Sequence, residues 1–396
     1  MDKKNLNFHV LTMSTYGHGF SGGDRIFIEV FRRIGKVYPV SVYLWEEGLT
    51  ICRREKLEGV KYVLWSAKFW PKFGFFINYF ARIFLALYHS LNLKLVNSPD
   101  TVIYSASEFW QDSFPAVILK IRYPKIVWVT AWYQTAPNPF KGFTEGARES
   151  IYRLKALLYW IVQFISKPLV QKFANKVVVN NEDEKKQFSE FNKENRVIVL
   201  LGAVDLEKIR KYDRQLAKNQ RSVYAAVFQG RFHPQKGVIE LIEIWKKVVD
   251  EIPNAKLVMI GDGTLMENVK LKIKSLRLEN NIKLFGYVFD GPKKYKIFLQ
   301  SNIVVHPAFY DSGGMASAEA MAFGLPCVGF NLKAYQSYYP KGMIKVPIGN
   351  LDLFAKAIIY LLKDDKRRKE IGLDARKMIE ENWSWDRRVE NLLNHV

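Results

Sequence analysis

Two successive series of alternating strand and helix patterns predict an α/β protein made of two doubly wound units with parallel sheets. Three observations carry this. The strand-like segments are short and almost continuously apolar, as strands covered on both faces require. The segments between them place apolar residues at three- and four-residue spacing, the helical period. Glycine-containing loops follow several strands, on the side of the sheet where such folds bind ligands.

The first series opens with NFHVLTM, Asn7–Met13, a buried-strand pattern. The loop STYGHGFSGG follows, with Gly17, Gly19, Gly22 and Gly23. DRIFIEVFRRIGKV then predicts a helix with Asp24 as its cap. Further strands are expected at VSVYLW from Val40, TVIYS (Thr101–Ser105), KIVWVT (Lys125–Thr130), KVVVN (Lys176–Asn180) and RVIVLL (Arg196–Leu201). A second series begins near residue 222. VYAAVFQG reads as a strand, RFHPQKG as a loop and VIELIEIWKKVVDEI as an amphipathic helix. KLVMIG, a turn at Asp262–Gly263, a helix from Thr264, then IKLFG, PKKYKIFLQSN, IVVHPA and PCVGF continue the alternation. The boundary falls in LLGAVDLEKI, Leu200–Ile209, so the expected domains are 1–200 and 201–376, with a terminal helix over 377–396.

With 396 residues, 48% of them hydrophobic, the chain has enough apolar surface for two cores. Cys52 and Cys327 lie far apart, which fits a reducing compartment better than a disulfide scaffold. The formal net charge is +21, divided as +11 over residues 1–200 and +10 over 201–396. A basic excess spread in this way favours anionic partners, among them phosphorylated ligands and anionic membranes. No zinc finger, helix-turn-helix signature or aromatic RNA-binding motif accompanies it, so nucleic acid is not expected as a partner. The opening MDKKNLNFHV passes straight into a strand pattern, and no secretory leader is expected. Nor is any segment long enough to span a bilayer. A cytoplasmic protein, peripheral on the inner face of the cell membrane, is the expectation.

Two stretches interrupt the alternation. Leu64–Leu91 is rich in aromatic residues beyond what a core needs, which points to the membrane interface. In Ile151–Phe173, Leu154, Leu157, Leu158, Ile161, Val162 and Ile165 share one helical face, bordered by Arg153, Lys155, Lys167 and Lys172. Here an ordinary core helix is the preferred reading over membrane contact.

The candidate site lies in the second series. Arg231 and Lys236 place two cations in the loop after VFQG. The loop after IVVHPA holds Asp311, Gly313 and Gly314 and opens a helix through Met315 to Glu319. Cations, glycine and free N–H groups at a helix start together suit a diphosphate. Glu319, among Ala318, Ala320, Met321 and Ala322, is a carboxylate on an otherwise apolar helix, placed to accept hydrogen bonds from a ribose diol. Asp311, eight residues earlier, would face a sugar beyond the phosphates. Its plainer role is to start a turn or cap the helix. The six scattered histidines and the lack of an Asp-x-Asp pair predict no metal site and no cofactor.

GRFHPQKG, then GDG, then the Asp311-x7-Glu319 spacing followed by AMAFGLP, resemble the retaining nucleotide-sugar glycosyltransferases of family 4 (glycosyl transferases group 1), which have the GT-B fold. The resemblance is most specific over about residues 180–380 and rests in the first half on the SGGDR loop and the strand order. It implies two Rossmann-like domains facing a central cleft, with NWSWDRR in a closing helix that crosses back to the first domain. It assigns Arg231 and Lys236 to the donor diphosphate, Glu319 to the ribose and Asp311 to the donor sugar. Backbone at Gly313, Gly314 and Met315 would touch sugar or phosphate, with Gly22 and Gly23 beside the phosphates from the first domain. The expected partners are therefore a nucleotide-sugar donor and a glycan or lipid-linked acceptor at an anionic membrane. Retention by front-face departure, with no protein nucleophile, is implied as well. The chain departs from the family at Asp311, where Glu is usual. It departs again at AWYQTAP, where Trp132, Tyr133 and Gln134 stand in place of a histidine. Two other readings stay open: a nucleotide-sugar epimerase of the same fold, and a non-catalytic basic module that binds lipid or nucleic acid.

Overall fold

A computed structural model of the chain describes residues 5–15, 21–144, 152–216, 222–311 and 313–396. It divides into two α/β units. One comprises Met1–Ala136, Leu157–Gly202 and Trp385–Val396, the other Pro137–Ala156 and Ala203–Ser384. The strand–helix alternation read from the sequence is observed in both.

The first unit holds β1 (Asn7–Leu11), β2 (Val40–Leu44), β3 (Lys61–Leu64), β4 (Thr101–Ser105), β5 (Val127–Trp132), β6 (Lys176–Val179) and β7 (Val197–Val199). They form one parallel sheet in the order β3-β2-β1-β4-β5-β6-β7. The second unit holds β8 (Tyr224–Gln229), β9 (Leu257–Ile260), β10 (Ile282–Gly286), β11 (Ser301–His306), β12 (Cys327–Phe330) and β13 (Met343–Val346). Their order is β10-β9-β8-β11-β12-β13, again parallel. Strand order reverses between β1 and β4 and between β8 and β11, and such switch points open crevices at the carboxyl ends of the strands. The cores are built as the sequence pattern requires. In the second, Trp245 and Leu241 of helix Val238–Glu251 and Phe354 and Ile358 of helix Leu351–Lys363 pack with Phe228, Met259 and Val305 of the sheet.

Several boundaries differ from the sequence expectation. β3 was not anticipated, because it is an edge strand with Lys61 and Leu64 exposed and lacks a continuous apolar run. The helix after β1 spans Gly22–Ile34 and is capped by Ser21 rather than Asp24. Ser21 Oγ accepts from the Asp24 N–H, and the Asp24 carboxylate accepts from the Ser21 N–H, a reciprocal capping box.

The two interrupting stretches are helices with apolar residues turned outward. In helix Phe75–Asn92 the buried side carries Asn78, Arg82, Ala86 and Ser90 at four-residue spacing. Arg82 is tied down by Glu47 Oε1 at 2.6 Å and Asn78 Oδ1 at 3.0 Å. The opposite side exposes Phe76, Ile77, Phe80, Phe84, Tyr88 and Leu91. For helix Arg153–Phe173 the core-helix expectation is corrected. Leu154, Leu157, Leu158 and Ile165 are exposed, together with Trp160 and Phe164, whose rings stack at 4.9 Å. The buried positions are Ala156, Gln163, Ser166 and Val170. Trp110 links the two helices, contacting Tyr79 and Phe80 of the first and donating from Nε1 to Val162 O of the second. Among the described residues no helix is long and apolar enough to cross a membrane.

Candidate nucleotide-sugar site

The second unit's switch point gathers most of the predicted residues. After β8 the chain turns through Pro234–Lys236 to Gly237, whose φ of +63° starts helix Val238–Glu251. A Cβ on Gly237 would stand 2.0 Å from Pro307 O, so the loop after β8 and the loop after β11 approach closely enough to demand glycine. That approach brings Lys236 Nζ to 2.5 Å from Asp311 Oδ2. His306, the last residue of β11, places Nε2 3.0 Å from the same oxygen, and Tyr335 OH donates to it at 2.9 Å. The Gly313 N–H donates to Asp311 Oδ1 at 3.3 Å.

The protonation states agree with this geometry. Burial by itself raises the pKa of Asp311, but the Lys236 ammonium and His306 overcome it and hold the carboxyl well below its ordinary range. Burial pushes His306 down and Tyr335 well up, so both are neutral and have a proton to donate. Asp311 is thus a fixed anion whose Oδ2 accepts from three donors. The sequence reading assigned Lys236 to a diphosphate; here it pairs with Asp311, directly beside Gly313 and Gly314.

Gly314 (φ +59°) precedes helix Met315–Ala322, and the Tyr339 hydroxyl donates to its carbonyl at 2.5 Å. Met315 is the first helical residue, so its N–H belongs to the turn that lacks intrahelical acceptors. Glu319 faces inward, 4% exposed. Its Oε2 accepts from Gln229 Nε2, at the end of β8, at 3.0 Å and from Lys294 Nζ at 2.7 Å. Lys294 is itself 1% exposed and also pairs with Asp290. Arg231 is exposed in the loop directly after β8.

Lys294 was missed by sequence reasoning. Its signal was its spacing: with Ile297 and Phe298 it lies at i, i+3, i+4 on the buried side of helix Pro292–Leu299. Phe143 was missed too. It sets its ring edge-on to His233 at 5.3 Å and to Tyr310 at 6.2 Å, packing residues of Pro137–Ala156 on the loops after β8 and β11.

Gly22 and Gly23 belong to the first unit, at the start of the helix after β1. A Cβ on Gly23 would stand 3.2 Å from Tyr133 Cδ2, so this glycine lies against the segment that departs from the family pattern. Trp132 is buried, the Tyr133 and Tyr104 hydroxyls meet at 2.7 Å, and Gln134 O accepts from Tyr159 OH and Gln163 Nε2. Asp112, not singled out from the sequence, joins the ends of β1 and β4. It accepts from the Met13 and Ser14 N–H groups and from the Ser14 and Ser107 hydroxyls. Burial pushes its pKa up to about 7 despite these bonds. Among the described residues no group of three or more His, Cys, Asp and Glu is arranged to hold a metal ion.

Residues 208–378 match the family model described as glycosyl transferases group 1. The chain is 30% identical over 173 residues to the poly(glycerol-phosphate) alpha-glucosyltransferase of Bacillus subtilis, covering 41% of this chain and 25% of that protein. It is 24% identical over 262 residues to the UDP-Gal:alpha-D-GlcNAc-diphosphoundecaprenol alpha-1,3-galactosyltransferase of Escherichia coli, covering 63% and 65%. The chain therefore spans between a quarter and about two thirds of these relatives' length. A crystal structure of Anabaena HepE in complex with UDP and glucose superposes with a TM-score of 0.72 at 15% identity, over 98% of both chains. At that identity the likeness speaks for fold alone. Residues 208–378 are thus similar to glycosyl transferases group 1, in a chain with the GT-B fold.

Proposed function

We propose that the chain is a retaining glycosyltransferase of family 4, moving a sugar from a nucleotide-diphosphate donor to a lipid-linked or polymeric glycan. The observation that carries this is the convergence of Lys236, Asp311, the Gly313–Gly314 loop and Glu319 on one switch point, inside the segment that matches the family. In this reading Arg231, Lys236 and the N–H groups at Gly314 and Met315 stabilise the departing diphosphate, so the reaction needs no metal. Glu319 accepts from the ribose hydroxyls. Asp311, held by Lys236, His306 and Tyr335, contacts the transferred sugar. An oxygen that already accepts from three donors is a poor nucleophile, which suits a front-face departure without a covalent intermediate. The region of Tyr133 and Gln134 meets the acceptor.

The acceptor class rests on two supports. The relatives named above act, by their names, on a glycerol-phosphate polymer and on a diphosphoundecaprenol lipid. The outward faces of helices Phe75–Asn92 and Arg153–Phe173 suit the inner face of an anionic membrane. Residues 60–99 contain no Asp or Glu, and neither do residues 151–181, while Lys68, Lys72, Lys94, Arg153, Lys155 and Lys172 stand exposed among them. Aromatic rings at head-group depth with lysines beside them gain from both hydrocarbon burial and anionic lipid.

A thermal-shift screen over UDP-, GDP-, ADP- and TDP-sugars tests the donor, since a bound ligand stabilises the fold by mass action. Transfer of label from the active donor to a membrane or polymer fraction tests the reaction. Stabilisation by no donor overturns the proposal. Donor turnover with interconversion at one sugar carbon and no transfer identifies an epimerase instead.

A further inference from the structure

Glu319 stands where a negative charge is unfavourable. Cations and a helix start prepare this end of the sheet for phosphate, and a carboxylate five residues into that helix repels what they attract. It is also buried, and a buried carboxylate needs a counter-charge or takes up a proton. Lys294 meets both conditions. Its ammonium, 1% exposed, lies 2.7 Å from Glu319 Oε2 and also pairs with Asp290, the residue two before the helix that carries it. The rings of Tyr295 and Phe298 lie 5.7 and 5.8 Å from Nζ. An ammonium held between two carboxylates and two rings has little freedom to move.

Resting on the nucleotide reading above, we infer that Lys294 is a positioning residue for the nucleoside half of the donor and acts through Glu319. It cancels the charge that would oppose the diphosphate. Together with Gln229 Nε2 it occupies Oε2, which fixes the plane of the carboxylate. A carboxylate fixed in plane accepts from a cis diol in one orientation, whereas a rotating or protonated one does not. Discrimination for an intact ribose diol therefore depends on a lysine that touches no ligand.

The test is calorimetric titration of wild type, K294M, K294R and E319Q with UDP and GDP, then with the 2′,3′-dideoxy form of whichever binds. Melting curves check that each variant folds. In wild type the ribo form is expected to bind at least about tenfold tighter than the dideoxy form, the scale of one hydrogen bond to a charged group. E319Q and K294M should both reduce this ratio to roughly threefold or less, and K294R should restore most of it. If folded K294M keeps the wild-type ratio while E319Q loses it, Lys294 is structural only and the inference falls with the nucleotide reading intact. If E319Q also keeps the ratio, or wild type binds neither diphosphate, the reading of Glu319 falls and takes Lys294 with it. Should K294M fail to fold, K294M/E319Q removes both charges of the pair and must match E319Q alone; a further loss of the ratio overturns the inference.

Discussion

Replacing Phe76, Phe80 and Phe84 by serine tests whether the aromatic face of helix Phe75–Asn92 meets lipid. The three side chains are 63%, 48% and 69% exposed, and the helix is anchored from its other side by Asn78, Arg82 and Ser90. The fold should therefore lose little. Taking about 170 Å² for a phenylalanine side chain, the three expose about 300 Å² of apolar surface. At about 25 cal/mol/Å², complete transfer into hydrocarbon would contribute about 7 kcal/mol, and half-immersion at the head-group level about 3 to 4 kcal/mol. Vesicle partitioning should then fall by at least about a hundredfold, at roughly 1.4 kcal/mol per factor of ten. The assay is co-sedimentation with phosphatidylglycerol-containing vesicles against phosphatidylcholine alone, with a thermal melt as control. A triple variant that melts and sediments like wild type refutes the reasoning, because the exposed rings would then contribute nothing to lipid affinity.

Three further outcomes are expected. K236M strips the buried Asp311 carboxylate of its ion-pair partner and should cost about 3 to 5 kcal/mol of stability, read by denaturant titration. E319A should weaken binding of the stabilising nucleotide at least about tenfold in calorimetry. His9 sits beside the Tyr43 hydroxyl at 2.9 Å, and burial pushes its pKa from 6.5 down to about 4. The unfolded chain then binds the proton first, so His9 should contribute a loss of stability of about 3 kcal/mol as pH falls from about 6.5 to about 4, and H9Q should make the slope shallower in pH-dependent melts.

The parts of the fold legible from sequence were those with one physical explanation. A strand such as TVIYS, buried at every position, has few alternatives to the centre of a parallel sheet. Gly314 and Glu319 were legible because their residue types conflict with an ordinary apolar helix. Helix Arg153–Phe173 was misread because an apolar stripe has the same period whether it is turned inward or outward. Lys294 was overlooked because lysines are counted as surface residues until a buried carboxylate is found opposite them. Asp112 and Phe143 depend on partners far along the chain, Met13 for one and Tyr310 for the other, and no local pattern encodes such pairings.

The chain passes from one unit to the other four times, after Ala136, Ala156, Gly202 and Ser384. Helix Trp385–Leu393 completes the unit that begins at the N-terminus, with Arg33 Nε bonded to Asp386 at 2.8 Å and Arg388 Nε to Leu201 O at 3.1 Å. On the ribosome, a nascent chain already past residue 202 still lacks the piece that closes its earliest sheet-bearing body. The later body, made in one stretch from 203 to 384 apart from its borrowed 137–156 segment, is complete before helix Trp385–Leu393 is made. Maturation should therefore run against the direction of synthesis, with the younger half settling before the older one.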